Sequence, residues 1–444
     1  MTVMQNSGAP TGLKRRHIAA VTFGNALEFY DFLSYSFFAI QIGHALFPST
    51  SAYASLMFSL LVFWSGFLAR PIGAIVIGIF ADRAGRKPAM LLSFVLMGLS
   101  IVAMALIPPF RLIGYAAPVL AVLTRMAQGF SLGGEIGSNT AFLLEAAPPN
   151  RRGFVVAWQG ASQEVALLCG SLVGIALTTY LTGPQLDSYG WRIAFLLGAV
   201  TVPFGLWMRS RLPETLHVPE ASLSAQSSIA QDDPTRFQLA ERHSRIMILG
   251  LVVLGTATIA NYVSIYIVTY AQDSLHLSAR TGFFAETANT LIGILAALAG
   301  GWLSDRRGRR PVNIGANLGL LLLIIPLFSW VVAAHAAMPL IVSMSILGIF
   351  TNFSFGSFCA TLAESLPKRI RVTGFGTVYS LSIALLGGST QFIVTGLIFN
   401  YGPMSPAWYV FGAAAIGQIA LMLIPESAPA RMNLPVGAAT APAE

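Results

Sequence analysis

The sequence predicts an all-α membrane protein with twelve transmembrane helices in two pseudo-symmetric six-helix halves. Three observations carry this expectation. Only 10% of the 444 residues are charged, 55% are apolar, and the mean hydropathy is +0.70; soluble domains carry about 25% charged residues. The basic residues are segregated. With a cytoplasmic N-terminus, 21 of the 26 fall inside, three (Arg111, Arg192 and Arg280) fall outside, and two (Arg70 and Arg125) lie within spans. Cytoplasmic loops collect Lys and Arg, so a miscounted helix would scramble this asymmetry. The chain also repeats itself. GIFADRAGRKP (78–88) matches GWLSDRRGRRP (301–311) at an offset of 223, and LEAAPPNRRGF (144–154) resembles AESLPKRIRVTGF (363–375). Pro213-Glu214 after the sixth span matches Pro425-Glu426 after the twelfth.

The spans follow in order from the requirement of about 20 largely apolar residues per crossing. Lys14-Arg15-Arg16 precede span 1, near 17–43, which is too long for a cleavable signal core and places the N-terminus in the cytoplasm. Spans 2 to 6 lie near 54–80, 88–108, 115–143, 154–181 and 191–209. Residues 210–244, with their SLSAQSSIAQDDPTR stretch, read as a flexible cytoplasmic linker. Spans 7 to 12 lie near 245–271, 281–303, 311–333, 338–362, 373–399 and 406–424. The expected organisation is therefore a first bundle over 1–209, a linker, a second bundle over 245–430 and a short polar cytoplasmic tail, 431–444. Internal repeats mark transporter folds, with the substrate site between the repeats near the midplane.

Composition also excludes functions. The net charge of +8 belongs to the cytoplasmic loops and is no signal for nucleic acid. Cys169 and Cys359 both lie in apolar spans, and the six histidines have no metal-ligand spacing. With no nucleotide-binding loop, metal cluster or nucleophile constellation, the chain does not read as an enzyme. No cofactor is expected beyond protons as a coupling ion. The expected partners are the lipid bilayer and a small organic anion, with the monomer as the functional unit.

The line GNALEFYDF in span 1 places Glu28 and Asp31 inside the membrane, where a charge costs several kcal/mol and is usually functional. At 100° per residue, Asn25, Glu28 and Asp31 share one face, each about 60° from the next. One reading is a proton site, because desolvation and mutual repulsion favour the neutral form of one member. The alternative is a hydrogen-bonded acid that locks span 1 to a neighbour. In span 4, Arg125, Gln128 and Glu135 fall within about 80°. The depths of Asp31, about 9 Å below the outer boundary, and Arg125, about 12–15 Å, agree within the boundary error. A buried arginine stays charged and needs an anion. Asp31 is the expected partner, and its protonation would free Arg125 for a substrate carboxylate. The alternative is a permanent structural pair.

Arg70 lies twelve residues before Asp82 in span 2. It either completes a carboxylate clamp or pairs with Glu28 or Glu135. Span 5 offers Gln159, Ser162 and Gln163 on one face, suited to orienting a substrate rich in oxygen, with Glu164 about 100° round from Gln163. Tyr262, Tyr266 and Tyr270 form a stripe on span 7 that is either packing or cavity lining. Glu286, Asn289 and Thr290 cluster in the outer part of span 8, and Asn352, Ser380 and Gln391 are single polar candidates in spans 10 and 11.

The motif G-x-x-x-D-R-x-G-R-K/R after spans 2 and 8 resembles that of the major facilitator superfamily. GNALEFYDF, RPIGAIVIGIFADRAGRK and RMAQGFSLGGEIG together resemble the metabolite:proton symporter family, which carries carboxylates and some zwitterionic osmolytes. AWQGASQEVA (157–166) and GGSTQ (387–391) look most like its citrate and tricarballylate branch, although Glu164 departs from the amide more usual there. The resemblance implies an inner-membrane symporter working by alternating access. It implies also a charge network that closes the cytoplasmic gate in the outward-facing state. That network would use Asp82, Arg83, Gly85 and Arg86, their repeats Asp305, Arg306, Gly308 and Arg309, and the partners Glu145 and Glu364. Neighbouring arginines, or the N-terminus of a helix across the bundle, would compensate an aspartate at a helix C-terminus. The rival readings are a dicarboxylate or osmolyte symporter, a proton-driven drug exporter and a membrane sensor.

Overall fold

The computed structural model describes residues 15–84, 86–133, 136–210, 234–367 and 371–428. The side chains of Glu28, Asp31, Asp82, Arg83, Arg86 and Glu145 lie outside the described residues, as do Gly85 and Glu135 altogether.

All regular structure among the described residues is helical, and twelve passes run through it. Span 1 is Arg15–Phe37 continued by Ala39–Leu46, and span 2 is Ala52–Ala84. Span 3 is Arg86–Leu106, span 4 is Ala116–Leu132 with Ile136–Ala146, span 5 is Arg152–Tyr180 and span 6 is Trp191–Ser210. Span 7 is Pro234–Ile265 with Ile267–Asp273, span 8 is Ala279–Arg307 and span 9 is Arg309–Ala334. Span 10 is Ala337–Phe353 with Phe355–Ser365, and span 12 is Ser405–Leu423. Span 11 runs from Arg371–Ser382 through a π-helical turn, Ile383–Gly387, into Thr390–Tyr401. Among the described residues, eight helical stretches are long and apolar enough to cross a membrane.

The helix of span 7 begins inside the stretch read from sequence as linker. Pro234 is its first residue, where a missing N–H costs nothing and the fixed φ suits a first turn. Helix-favouring residues then carry it into the membrane.

Small residues set which helices touch. Spans 2 and 4 meet backbone to backbone: a Cβ on Gly129 would stand 1.6 Å from the carbonyl oxygen of Gly66, and one on Gly133 2.0 Å from that of Arg70. Close approach through small residues is the usual basis of helix association where lipid removes the hydrophobic drive. In the second half, spans 8 and 10 meet in the same way, with Gly300 against the Phe353 carbonyl. Aromatic side chains fill the seam between the halves, among them Phe32, Phe63, Phe67 and Tyr262.

Candidate functional site

The glycine contact of spans 2 and 4 sits at the level of Arg70 and Arg125 and brings both side chains to one ring. The Arg70 guanidinium carbon is 4.3 Å from the centroid of Phe32, and that of Arg125 is 4.2 Å. Phe32 thus serves two cations at once. Arg70 also lies over Phe67 at 4.6 Å, and Arg125 over Tyr35 at 4.7 Å and Phe63 at 5.2 Å. Both arginines are fully buried.

Their hydrogen bonding differs. Arg125 Nη1 donates to Gln128 Oε1 at 2.6 Å, and both Nη atoms donate to the Phe32 carbonyl at 3.3 Å. Among the described residues, Arg70 Nε, Nη1 and Nη2 and Arg125 Nε have no hydrogen-bond partner. No carboxylate among the described residues pairs with either arginine. Stacking on aromatic faces offsets only part of the cost of burying a guanidinium. The arrangement therefore favours an anion with several oxygens, which two planar forks can hold in bidentate fashion.

Other groups complete the chamber. Asn25 Nδ2 donates to Ser162 Oγ at 2.8 Å and to the Gln159 carbonyl at 3.3 Å, leaving its Oδ1 unpartnered. Gln159 Oε1 accepts from Thr140 at 2.6 Å, and the amide nitrogens of Gln128, Gln159 and Gln163 are buried with no hydrogen-bond partner among the described residues. From the second half, Tyr262 and Tyr379 lie within electrostatic reach of Arg70, and Gln163 lies beside the Tyr379 side chain.

Of the residues singled out from sequence, the structure gathers Arg70, Arg125, Gln128 and Tyr262 around Phe32 and Phe67, and it joins Asn25 to Gln159 and Ser162 on span 5, next to Gln163. Tyr266, one turn beyond Tyr262, accepts from Thr395 at 2.8 Å. Gln391 exchanges hydrogen bonds with Ser36 at 2.6 and 2.9 Å. Tyr270 packs on Phe328 and donates to the Pro403 carbonyl. Glu28, Asp31 and Glu135 lie outside the described residues in side chain or altogether. Sequence reasoning missed Phe32, Tyr35, Phe63, Phe67 and Tyr379. The spacing of Phe63, Phe67 and Arg70, at i, i+4 and i+7, is the signal that would have found two of them.

The chamber is closed at both ends. At one end, Asp305 of span 8 accepts from the backbone N–H groups of Gly153 and Phe154, at 2.8 and 2.9 Å, in the first turn of span 5. This contact joins the two halves, and the positive end of the span 5 dipole favours it. Arg309 is buried behind it, bidentate to Glu364 at 2.7 and 2.9 Å and 3.2 Å from Asp305. Gly308 adopts φ +102, a conformation that favours glycine, and so makes the turn between spans 8 and 9. Glu426 accepts from the N–H groups of Arg309 and Arg310. Arg306 stands outside this network, its guanidinium 4.0 Å over the Trp302 ring. The corresponding Asp82, Arg83, Gly85, Arg86 and Glu145 fall outside the described residues. At the other end, Phe37 and Phe38 meet Phe283, Tyr53 stacks on Phe399 at 4.1 Å, and Gln41 Nε2 donates to Gln272 at 3.4 Å. No group of three or more metal-ligating side chains occurs among the described residues.

Comparison with known proteins agrees with this architecture. The citrate-proton symporter of Salmonella typhi is 36% identical over 413 residues, 92% of this chain and 93% of that protein. The citrate-proton symporter of Klebsiella pneumoniae is 35% identical over 405 residues, covering 91% and 90%. The proline/betaine transporter of Salmonella typhimurium is 29% identical over 437 residues, covering 97% and 86%. Among solved structures, the proton:xylose symporter XylE bound to 6-bromo-6-deoxy-D-glucose has a TM-score of 0.72 at 16% identity, covering 93% of this chain and 96% of that one. A family model for the Major Facilitator Superfamily matches residues 21–382. By this match over most of its length, and by its twelve-helix fold, the chain belongs to the major facilitator superfamily.

Proposed function

We propose that this protein is a proton-coupled symporter that imports a small organic carboxylate, with a tricarboxylate such as citrate as its substrate. The observation that carries this reading is the pair of buried guanidiniums on Phe32, with all three Arg70 nitrogens and Arg125 Nε without a hydrogen-bond partner among the described residues. Two fixed positive charges suit a substrate with more than one carboxylate. The likeness to two proteins named citrate-proton symporters over more than nine-tenths of this chain supports the same class.

The chain's own residues supply the steps. Arg70 and Arg125 bind substrate carboxylates, while Gln128, Gln163 and Asn25 orient the remaining oxygens. Asp31, on the same helix as Phe32, takes the proton. Its neutral form leaves Arg125 to the substrate, and its anion competes for Arg125 once the substrate has gone. The halves, residues 1–209 and 245–430, rock about the chamber, and breaking one end network at a time exposes it alternately. The Asp305 end faces the cytoplasm, with both termini, in an inner membrane. The monomer suffices, and no cofactor enters the cycle.

The test is uptake of labelled citrate into proteoliposomes with an acidic exterior. Accumulation above the equilibrium level, abolished by a protonophore and competed by tricarballylate, is the expected result. Competition by proline or betaine, and not by tricarboxylates, would favour the osmolyte reading that the 29% identical relative suggests. Absence of accumulation for every carboxylate tried would reject symport.

A further inference from the structure

We propose that Glu164 and Glu286, one from each half, form a second proton-binding pair in the seam between spans 5 and 8. Both must carry a proton for the halves to close as they do here. The inference rests on the symport reading above but on different residues.

Adjacent residues of span 5 point to different partners. Gln163 reaches Tyr379 of span 11. Glu164 turns to span 8, where its Oε2 lies 2.9 Å from the point at which a Cβ on Gly293 would stand. Asn352 of span 10 places its Nδ2 2.7 Å from that same point. Gly293 is thus a notch in span 8, filled by a carboxyl from the other half and an amide from its own. Glu286, Asn289 and Gly293 stand at i, i+3 and i+7 and so line one face of span 8. Asn289 Nδ2 donates to Glu286 Oε2 at 3.3 Å, which draws that carboxyl along the helix toward the notch.

Two independent features point to bound protons. The first is charge. Glu164 is 3% exposed and Glu286 fully buried. Among the described residues, the one charged group acting on Glu164 is Glu286, and no cation acts on either. Among the described residues no ion pair reaches either acid; the titratable groups on the packed elements are Cys359 and Glu364 in span 10, Tyr379 in span 11, and Tyr270 and Asp273 at the end of span 7. Span 1 carries Glu28 and Asp31, whose side chains are not among those described. Arg70 and Arg125 are gathered on Phe32 instead. Two like charges without a counter-ion cannot both be held in such a medium.

The second feature is hydrogen-bond stoichiometry. Glu164 Oε2, Glu286 Oε1 and Asn289 Oδ1 are all buried acceptors without a donor. A proton on each carboxyl supplies the missing donors. When the halves part, water reaches the seam and can hydrate the ionised acids. Proton binding and closure are then linked, because closure favours the protonated pair and the protonated pair favours closure.

The experiment separates this inference from the symport reading. Wild-type protein in proteoliposomes must first accumulate citrate under an inward proton gradient; if it does not, symport fails whatever the pair does. Given accumulation, the number of protons per citrate is read from the pH gradient at which net flux reverses. Glu164→Gln and Glu286→Gln are each expected to lower that number by one, and to remove the decline of citrate exchange at alkaline pH. Wild-type stoichiometry together with a wild-type pH profile in both variants overturns the proposal. If the variants do not fold, the infrared carbonyl stretch of buried protonated acids in the wild type decides. A band that persists at neutral pH and bleaches as citrate exchange falls at alkaline pH is expected, and no such band overturns the proposal. Accumulation that requires sodium chloride at a constant proton gradient, with the requirement lost in Glu286→Gln, would assign the pair to a metal cation and overturn the proton assignment.

Discussion

Phe32 is the residue on which the candidate site turns, because two buried guanidiniums share its ring. The planar fork of arginine both stacks and binds carboxylate in bidentate fashion, whereas a lysine ammonium does neither as well. Arg125→Lys is therefore expected to raise the apparent KM for citrate about ten- to hundred-fold, as loss of a charge-assisted hydrogen bond costs about 1.5–3 kcal/mol. Radiotracer uptake at saturating proton gradient measures it, and an unchanged KM would place Arg125 outside the site. Asp31→Asn removes the group proposed to compete for Arg125. It is expected to abolish accumulation against a citrate gradient, and a variant that still concentrates citrate would move the proton role elsewhere. Arg70, Arg125, Gln128 and Asn25 were legible from sequence because a polar residue on an apolar helix stands out. Their aromatic seats were not, because a phenylalanine in a membrane span looks like every other apolar residue until its neighbours are known.

At the scale of single helices, the contact of spans 2 and 4 positions both arginines. A methyl on Gly129 would fall 1.6 Å from the Gly66 carbonyl oxygen, so the helices would have to part. Gly129→Ala is expected to destabilise the protein by about 1–3 kcal/mol, the usual cost of overpacking, and to lower citrate affinity with it. Thermal unfolding in detergent and substrate binding check the two together. At the chamber end opposite Asp305, His44 Nδ1 lies 3.3 Å from Asp187, tying the end of span 1 to the turn before span 6. The NMR signals of labelled His44 are expected to move in Asp187→Asn, and unchanged signals would show that the two side chains do not meet.

For the whole molecule, the two end networks decide which way the chamber opens. Asp305 ties the second half to the first turn of span 5 through two backbone N–H groups, and Arg309 and Glu364 hold it in place. Asp305→Asn weakens that closure by about 1.5–3 kcal/mol, the worth of hydrogen bonds to a charged group. Cys359 is a native reporter: it is buried in span 10 and within electrostatic reach of Tyr379 in the chamber wall. Its labelling by a hydrophilic maleimide is expected to be slow in the wild type and faster in Asp305→Asn. Equal rates would show that this contact does not hold the end shut.

The sequence alone determined the twelve crossings, the two-fold repeat and the presence of ionisable groups within the membrane. Each of these follows from one-dimensional physics: the length of apolar runs, the placement of basic residues and the cost of charge in lipid. Only the tertiary structure decided which polar groups meet. The convergence of Arg70 and Arg125 on Phe32, the separation of Gln163 from Glu164, and the junction of Asp305 with the start of span 5 depend on how helices far apart in the chain pack. That packing is set by a few glycine contacts between spans and by aromatic rings filling the seam. Helical periodicity tells which residues share a face, but says nothing of which neighbour that face will meet.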